Sequence, residues 1–203
     1  FSVIDGLSVS PTSGNGASIG GNAEGAVLRN LMVYSVGSSI QLSSGGTATH
    51  PCVVENCVAK SDSLRGFDIR AASSGVDAHW RVVNTTVSAT GTNQSFAVGL
   101  SSSDTIYLEL TNNLSTSDRA YFDFGTATLS LTGSNNVGGS SFPFPVAQQA
   151  SSQTWTFTTD PLAASTGSQA IYDATTGALV NVPGNDAVGV CGVTGTPTTD
   201  ING

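Results

Sequence analysis

Two apolar series that lengthen and shorten together constrain this chain more than any other feature. The first runs Val3, Val27, Val53, Val82, Leu108, Leu129; its step widens as far as Val82 and narrows after it. The second consists of apolar-x-apolar pairs, Ile40/Leu42, Phe67/Ile69, Phe96/Val98, Phe122/Phe124 and Phe142/Phe144, whose step likewise widens up to Phe96 and then narrows. Their covariation implies a repeating unit with at least two strands at a held separation, while one connecting loop absorbs the change. Units of this kind stack on their neighbours to build a continuous core.

Composition says what the unit is made of. Only 10% of residues are charged, Gly, Ser, Thr and Asn dominate, and no window longer than about two turns keeps a 3.6-residue apolar period. Helix is therefore not expected. A sandwich would show systematic hairpin signals, with Asn-Gly or Asp-Gly between alternating runs, and these are missing. Leucine-rich repeats need a denser Leu and Asn signature. The reading that remains is all-β, a right-handed parallel β-helix of about five to six coils with an irregular C-terminal cap. Residues 1–140 are expected to form the coils. Residues 141–203, with Pro143, Pro145 and then SQTWTFTTDP, are expected to form the last coil and a cap that blunts the open edge.

Asparagine marks the bends. It is a poor strand residue that tolerates left-handed backbone angles. After each first-series strand come Gly6, Asn30, Asn56, Asn84 with Thr85, Asn112 with Asn113, and Asn135 with Asn136. Stacked at about 4.8 Å, such amides can bond to one another along the axis. These residues are read as structural turns.

At this point the chain resembles the parallel β-helix repeat family of the pectate-lyase-like superfamily, which carries similar "NN" turn phrases. The C-terminal part is similar to β-helix proteins that end in "DP…GSPAID…D.G": here Asp160-Pro161-Leu162, then GSQAIYDA (Gly167 to Ala174), then TPTTDING (Thr196 to Gly203). The usual final Ile-Gly-Ala phrase is missing, which implies a chain that stops just short of the family's natural end. The resemblance implies a large bacterial surface protein or a phage virion protein, and for the latter an association in threes. It indicates lineage rather than catalysis.

The net charge of −8, with six basic residues, argues against nucleic acid, whose binding rests on Lys and Arg neutralising phosphates, and against anionic membrane surfaces. No apolar run of about 18 residues exists to span a bilayer. Phe1-Ser2-Val3 reads as mid-strand rather than as a signal peptide, so a mature product or an excised piece is expected. Cys52, Cys57 and Cys191 have no metal-binding spacing and are read as free thiols, although a Cys52–Cys57 bridge is conceivable on export. The sequons at Asn84, Asn93 and Asn113 are of a kind that arises by chance in so Asn-, Ser- and Thr-rich a chain.

Outward positions that stack on successive coils are the candidate sites. Between the inward pairs lie Gln41, Asp68, Ala97, Asp123 and Pro143, so Asp68 and Asp123 would stand two coils, about 9.6 Å, apart on one face. That is near the upper end for the carboxylates of an inverting glycosidase, which makes this pair the catalytic candidate. Arg70 beside Asp68 and Arg119 beside Asp118 would equally give surface ion pairs. Asp5, Arg29 and Glu55 share a repeat position and read as an exposed charge ladder. His50 and His79 have no nucleophile motif beside them. GNDAVG (Gly184 to Gly189) lacks the alternating acids of a calcium loop, so neither metal nor cofactor is expected.

Among the aromatic residues, Tyr34, Tyr121 and Trp155 are the candidates for stacking sugars, whereas Trp80 and Tyr107 sit in strands, where core packing is commoner. The function expected is a non-enzymatic structural or glycan-adhesive module of an extracellular, cell-surface or virion protein. Its expected partners are a polysaccharide or cell-surface glycan and neighbouring domains of the same particle or surface. A polysaccharide lyase or glycoside hydrolase, and a purely architectural virion spacer, are the alternatives.

Overall fold

A computed structural model describes residues 2–9, 13–20, 24–43, 45–70, 77–89, 93–100, 105–115, 117, 119–123, 128–138 and 143–145. The described chain repeats a three-strand course. It runs through β1 (Val3–Asp5), β2 (Ser8–Val9) and β3 (Ala17–Gly20), then β4 (Val27–Arg29), β5 (Met32–Ser35) and β6 (Ile40–Ser43). Next come β7 (Cys52–Glu55), β8 (Val58–Ser61) and β9 (Phe67–Arg70), followed by β10 (Ala78–Val83), β11 (Thr86–Ala89) and β12 (Phe96–Leu100). The last strands are β13 (Thr105–Thr111), β14 (Leu114–Ser115), β15 (Tyr121–Asp123) and β16 (Thr128–Thr132). No helix occurs among the described residues.

Every third strand returns to the same sheet, and every pairing within the three sheets is parallel. The first sheet is β1-β4-β7-β10-β13-β16, the second β2-β5-β8-β11-β14 and the third β3-β6-β9-β12-β15. The protein is thus an all-β parallel solenoid. The two five-stranded sheets are spanned by four turns (five strands, four steps), against the five to six coils expected from sequence. Phe142 of the expected last pair, and almost all of the expected cap, at 146–203, lie outside the described residues.

The bend between the first and second sheets is two residues long in every turn: Gly6-Leu7, Asn30-Leu31, Asn56-Cys57, Asn84-Thr85 and Asn112-Asn113. Its first residue is left-handed each time, with φ of 66° at Gly6, 54° at Asn30, 51° at Asn56, 52° at Asn84 and 54° at Asn112. Asn135 repeats the conformation at 59°. Asn is the non-glycine residue that pays least for this region. The loops absorbing the length variation are the other two connections, one more than the sequence had indicated.

From the second bend onward the residue after the left-handed one is buried, and Leu31, Cys57, Thr85, Asn113 and Asn136 follow one another along the axis, all at most 1% exposed, whereas Leu7 at the first bend is exposed. The third sheet contributes a second column, in which Ile40 pairs with Phe67, Phe67 with Phe96 and Phe96 with Tyr121. The Phe67 and Phe96 rings stack with centroids 5.1 Å apart, and Phe144 packs on Phe96 at 5.4 Å. Where the second and third sheets meet, Gly66 is obligatory: a Cβ there would stand 2.1 Å from Val87 Cγ1 and 2.7 Å from the Ser95 carbonyl oxygen.

Register corrects part of the sequence reading. Val3, Val27 and Val53 pair as expected, but Val53 pairs with Arg81 rather than Val82. The inward series is Leu28, Val54, Val82, Leu110, each buried. Val53 lies between the inward Cys52 and Val54, and a run with valines on both faces hides its own phase. In the third sheet Tyr121, not Phe122, takes the inward slot after Phe96.

Candidate functional site

That one-residue difference decides the fate of the acid pair. Asp68 shares its outward position with Gln41, Ala97 and Phe122, whereas Asp123 pairs with Val98 in the inward series of Ile69. Asp68 and Asp123 therefore do not share a register position, and Asp123, at the end of its strand, is exposed. Asp68 is moreover only 2% exposed. Its Oδ2 accepts from Arg70 Nη2 at 2.5 Å and from Arg65 Nη1 at 3.4 Å. The carboxylate in turn raises the Arg70 guanidinium further above its ordinary pKa. A buried, doubly paired carboxylate is a structural group.

The three expected sugar-stacking aromatics fare differently. Tyr121 is 7% exposed and packs against Phe144 with ring centroids 6.2 Å apart. Burial, and after it the Asp123 charge, pushes its phenol well above the ordinary value. It has no face to offer a sugar. Tyr34 is half-buried in β5, donates its hydroxyl to Asp62 Oδ2, and has Lys60 Nζ 5.8 Å from its ring centroid. Trp155 lies outside the described residues.

The asparagines build two hydrogen-bonded lines. On the outside, Asn30 Nδ2 donates to Asp5 Oδ1 and Asn56 Nδ2 to Asn30 Oδ1, both at 2.7 Å. Inside, Asn113 Nδ2 donates to Asn136 Oδ1 at 2.9 Å and to the Val82 carbonyl at 2.8 Å, and Asn136 Nδ2 to the Leu110 carbonyl at 2.7 Å. With both amide hydrogens engaged in the core, Asn113 cannot serve as a glycosylation acceptor in the folded chain. Beside the outer line Arg29 Nε donates to Asp5 Oδ2 at 2.8 Å, and Asp5, Arg29 and Glu55 stand in register. Hydrogen bonds from Asn30 and then Arg29 hold the Asp5 carboxyl below its ordinary value. Cys52 and Cys57 are buried thiols with no disulfide between them. Among the described residues no group of three or more His, Cys, Asp or Glu is placed to hold a metal ion.

Among the described residues a concavity lies elsewhere, on the outward face of the first sheet. Alternation along β10 turns Ala78, Trp80 and Val82 inward and His79 and Arg81 outward; β13 does the same with Ile106, Leu108 and Leu110 against Tyr107 and Glu109. Because His79 pairs with Tyr107 and Arg81 with Glu109, like positions meet. The His79 and Tyr107 rings stack with centroids 4.3 Å apart and planes 1° from parallel. Arg81 Nε donates to Glu109 Oε2 at 2.8 Å and Nη2 to Oε1 at 3.4 Å, a two-pronged pair. Ala48 and Pro51 wall one side of the groove and Ser130 and Thr132 the other, around a cavity of about 230 Å³.

The wall beside β10 is built by the chain entering β7. Gly46 forms an antiparallel bridge to His79, with Gly46 N–H donating to the His79 carbonyl at 3.2 Å and the reverse bond at 3.1 Å. The sequence reading placed Tyr107 with Trp80 among core aromatics. Trp80 is buried at 1%, but Tyr107 is 38% exposed. The signal that finds the groove is the strict alternation of AHWRVV and TIYLELT, set one coil apart so that their outward residues coincide.

Fold and groove together define a parallel β-solenoid with an aromatic and ion-paired concavity on one rigid sheet. Comparison with protein-family models, curated proteins and solved structures finds no match.

Proposed function

We propose that this chain is a non-enzymatic, glycan-adhesive and structural module of an extracellular, cell-surface or virion protein, of the parallel β-helix kind found in the pectate-lyase-like superfamily. The observation that carries the reading is the half-exposed Tyr107 ring beside the Arg81–Glu109 pair in a groove on a rigid sheet. Sugar sites combine an aromatic face for the C–H side of the ring with planar donors and acceptors for its hydroxyls. Support for a surface-protein lineage, bacterial or phage, comes from the C-terminal phrases and from a polar surface poor in charge. In that setting the chain's other partners are neighbouring domains of the same particle or surface, and self-association in threes.

The enzyme alternative is less favoured, since Asp68 is buried and paired with Arg70 and Arg65 and Asp123 does not share its register position. The inner asparagine and phenylalanine columns favour rigidity, which suits a spacer equally well. A panel of bacterial and algal polysaccharides separates these roles. Binding without new reducing ends or unsaturated sugars supports the adhesin, product formation overturns it in favour of a lyase or hydrolase, and neither binding nor product leaves the spacer. Light scattering on a sizing column tests the trimer, which a monomer at micromolar concentration would refute.

A further inference from the structure

Among the described residues, the column of outward residues that forms the groove ends in a small side chain. His79 covers one face of Tyr107, and the next residue along that line is Ser130 on β16. A serine is too small to cover an aromatic ring, so the second face of Tyr107 borders the cavity that Ser130 and Thr132 line. The slot is flat on one side, hydroxylated on the other, and at about 230 Å³ smaller than the roughly 300–1,000 Å³ of sites for larger ligands. One sugar ring suits it.

Charge selects the kind of sugar. The ionisable groups lining the groove are His79, Arg81 and Glu109, with the Tyr107 phenol beside them, and the guanidinium is already matched by the carboxylate at 2.8 Å. An entering carboxylate or sulfate would compete with Glu109 for Arg81, leave one anion unmatched, and approach a chain of net charge −8. A neutral sugar meets no such conflict. Two of the five guanidinium N–H donors are used by Glu109, so adjacent donor and acceptor atoms can read neighbouring hydroxyls, one accepting from Arg81 and the next donating to Glu109.

We propose that this groove binds a single uncharged pyranose unit of a glycan, stacked on the free face of Tyr107 above Ser130 and read through its hydroxyls by Arg81 and Glu109. The assignment rests on the glycan-adhesive reading and adds the site and the sugar class. It also separates the chain from lyases, whose chemistry needs a uronate carboxylate beside the abstracted proton.

The test is calorimetric titration of the full chain with neutral oligosaccharides (glucan, mannan and galactan fragments) and with uronate oligosaccharides. A neutral probe is expected to bind with an affinity unchanged by added salt. Tyr107→Ala should raise Kd roughly tenfold, and Tyr107→Phe should not. Ser130→Tyr, which extends the ring column into the slot, should block binding while leaving the circular dichroism spectrum intact. Binding of uronate probes alone overturns the sugar class but leaves an adhesin. Neutral binding indifferent to both Tyr107→Ala and Ser130→Tyr overturns the site. Silence with every probe overturns the adhesive reading and this inference together.

Discussion

Replacing Asn113 with Ala tests whether the buried amides hold the later coils together. The Asn113 side chain is 1% exposed. Its Oδ1 accepts from the Thr85 backbone N–H at 3.1 Å, and its Nδ2 donates to the Val82 carbonyl at 2.8 Å and to Asn136 Oδ1 at 2.9 Å. Truncation strands the Thr85 N–H, itself at a residue 1% exposed, at a cost of about 1–3 kcal/mol. Each of the other two bonds contributes about 1 kcal/mol, though Asn136 Oδ1 keeps its bond from the Asn113 backbone N–H at 2.9 Å. The expected loss is about 4 kcal/mol, a large share of the roughly 5–15 kcal/mol typical of a domain. Urea unfolding followed by circular dichroism measures it, provided the slope matches that of the parent chain. A fall in slope would mean that the coils beyond Asn113 separate from those before it, because a solenoid's cooperativity runs through nearest-neighbour interfaces. A variant within about 1 kcal/mol of the parent at equal slope would refute the reasoning, since no buried orphan costs so little.

Other expectations follow from the same geometry. At the left-handed bend, Asn56→Gly should be more stable than Asn56→Ala by about 1 kcal/mol, because only alanine carries a Cβ into that region; thermal unfolding of the pair decides, and the reverse order would show that the bend relaxes. Phe96→Ala removes the ring between Phe67 and Phe144 and should cost about 3–5 kcal/mol in the same urea assay. Burial pushes the Cys57 thiol up to about 12 from 9.0. Its folded pKa is thus raised, so the stability it contributes is present below the unfolded value and is lost as pH rises from about 9 to about 12. In a Cys52→Ser, Cys191→Ser background a thiol reagent at mildly alkaline pH should label Cys57 only as fast as the chain opens, and prompt labelling of the native chain would contradict its burial.

The fold was legible in the sequence because a solenoid repeats its physics locally. Each Asn or Gly at the two-residue bend announces a left-handed residue without reference to anything distant, and covarying spacings reveal units that must stack. The Asn30, Asn56, Asn84, Asn112 and Asn135 positions could be named before any coordinates. Phase was less visible. Val53 and Phe122 match the apolar series as well as their neighbours do, and only packing shows that Val54 and Tyr121 occupy the inward slots.

That limit governs the site. Period-two alternation means a slip of one residue exchanges the two faces of a strand, so placing Asp68 and Asp123 on one surface required a register that sequence spacing alone does not fix. The same slip hid the groove, because Tyr107 counts as core or surface according to the phase assigned to β13. Sequence by itself determined the unit, its bends and the stacking of coils, since those depend on backbone angles and local spacing. The tertiary structure decided which side chains meet across coils, because the columns His79–Tyr107–Ser130 and Asp68–Ala97–Phe122 exist only once the hydrogen-bond register between strands a full coil apart is set by the packed core.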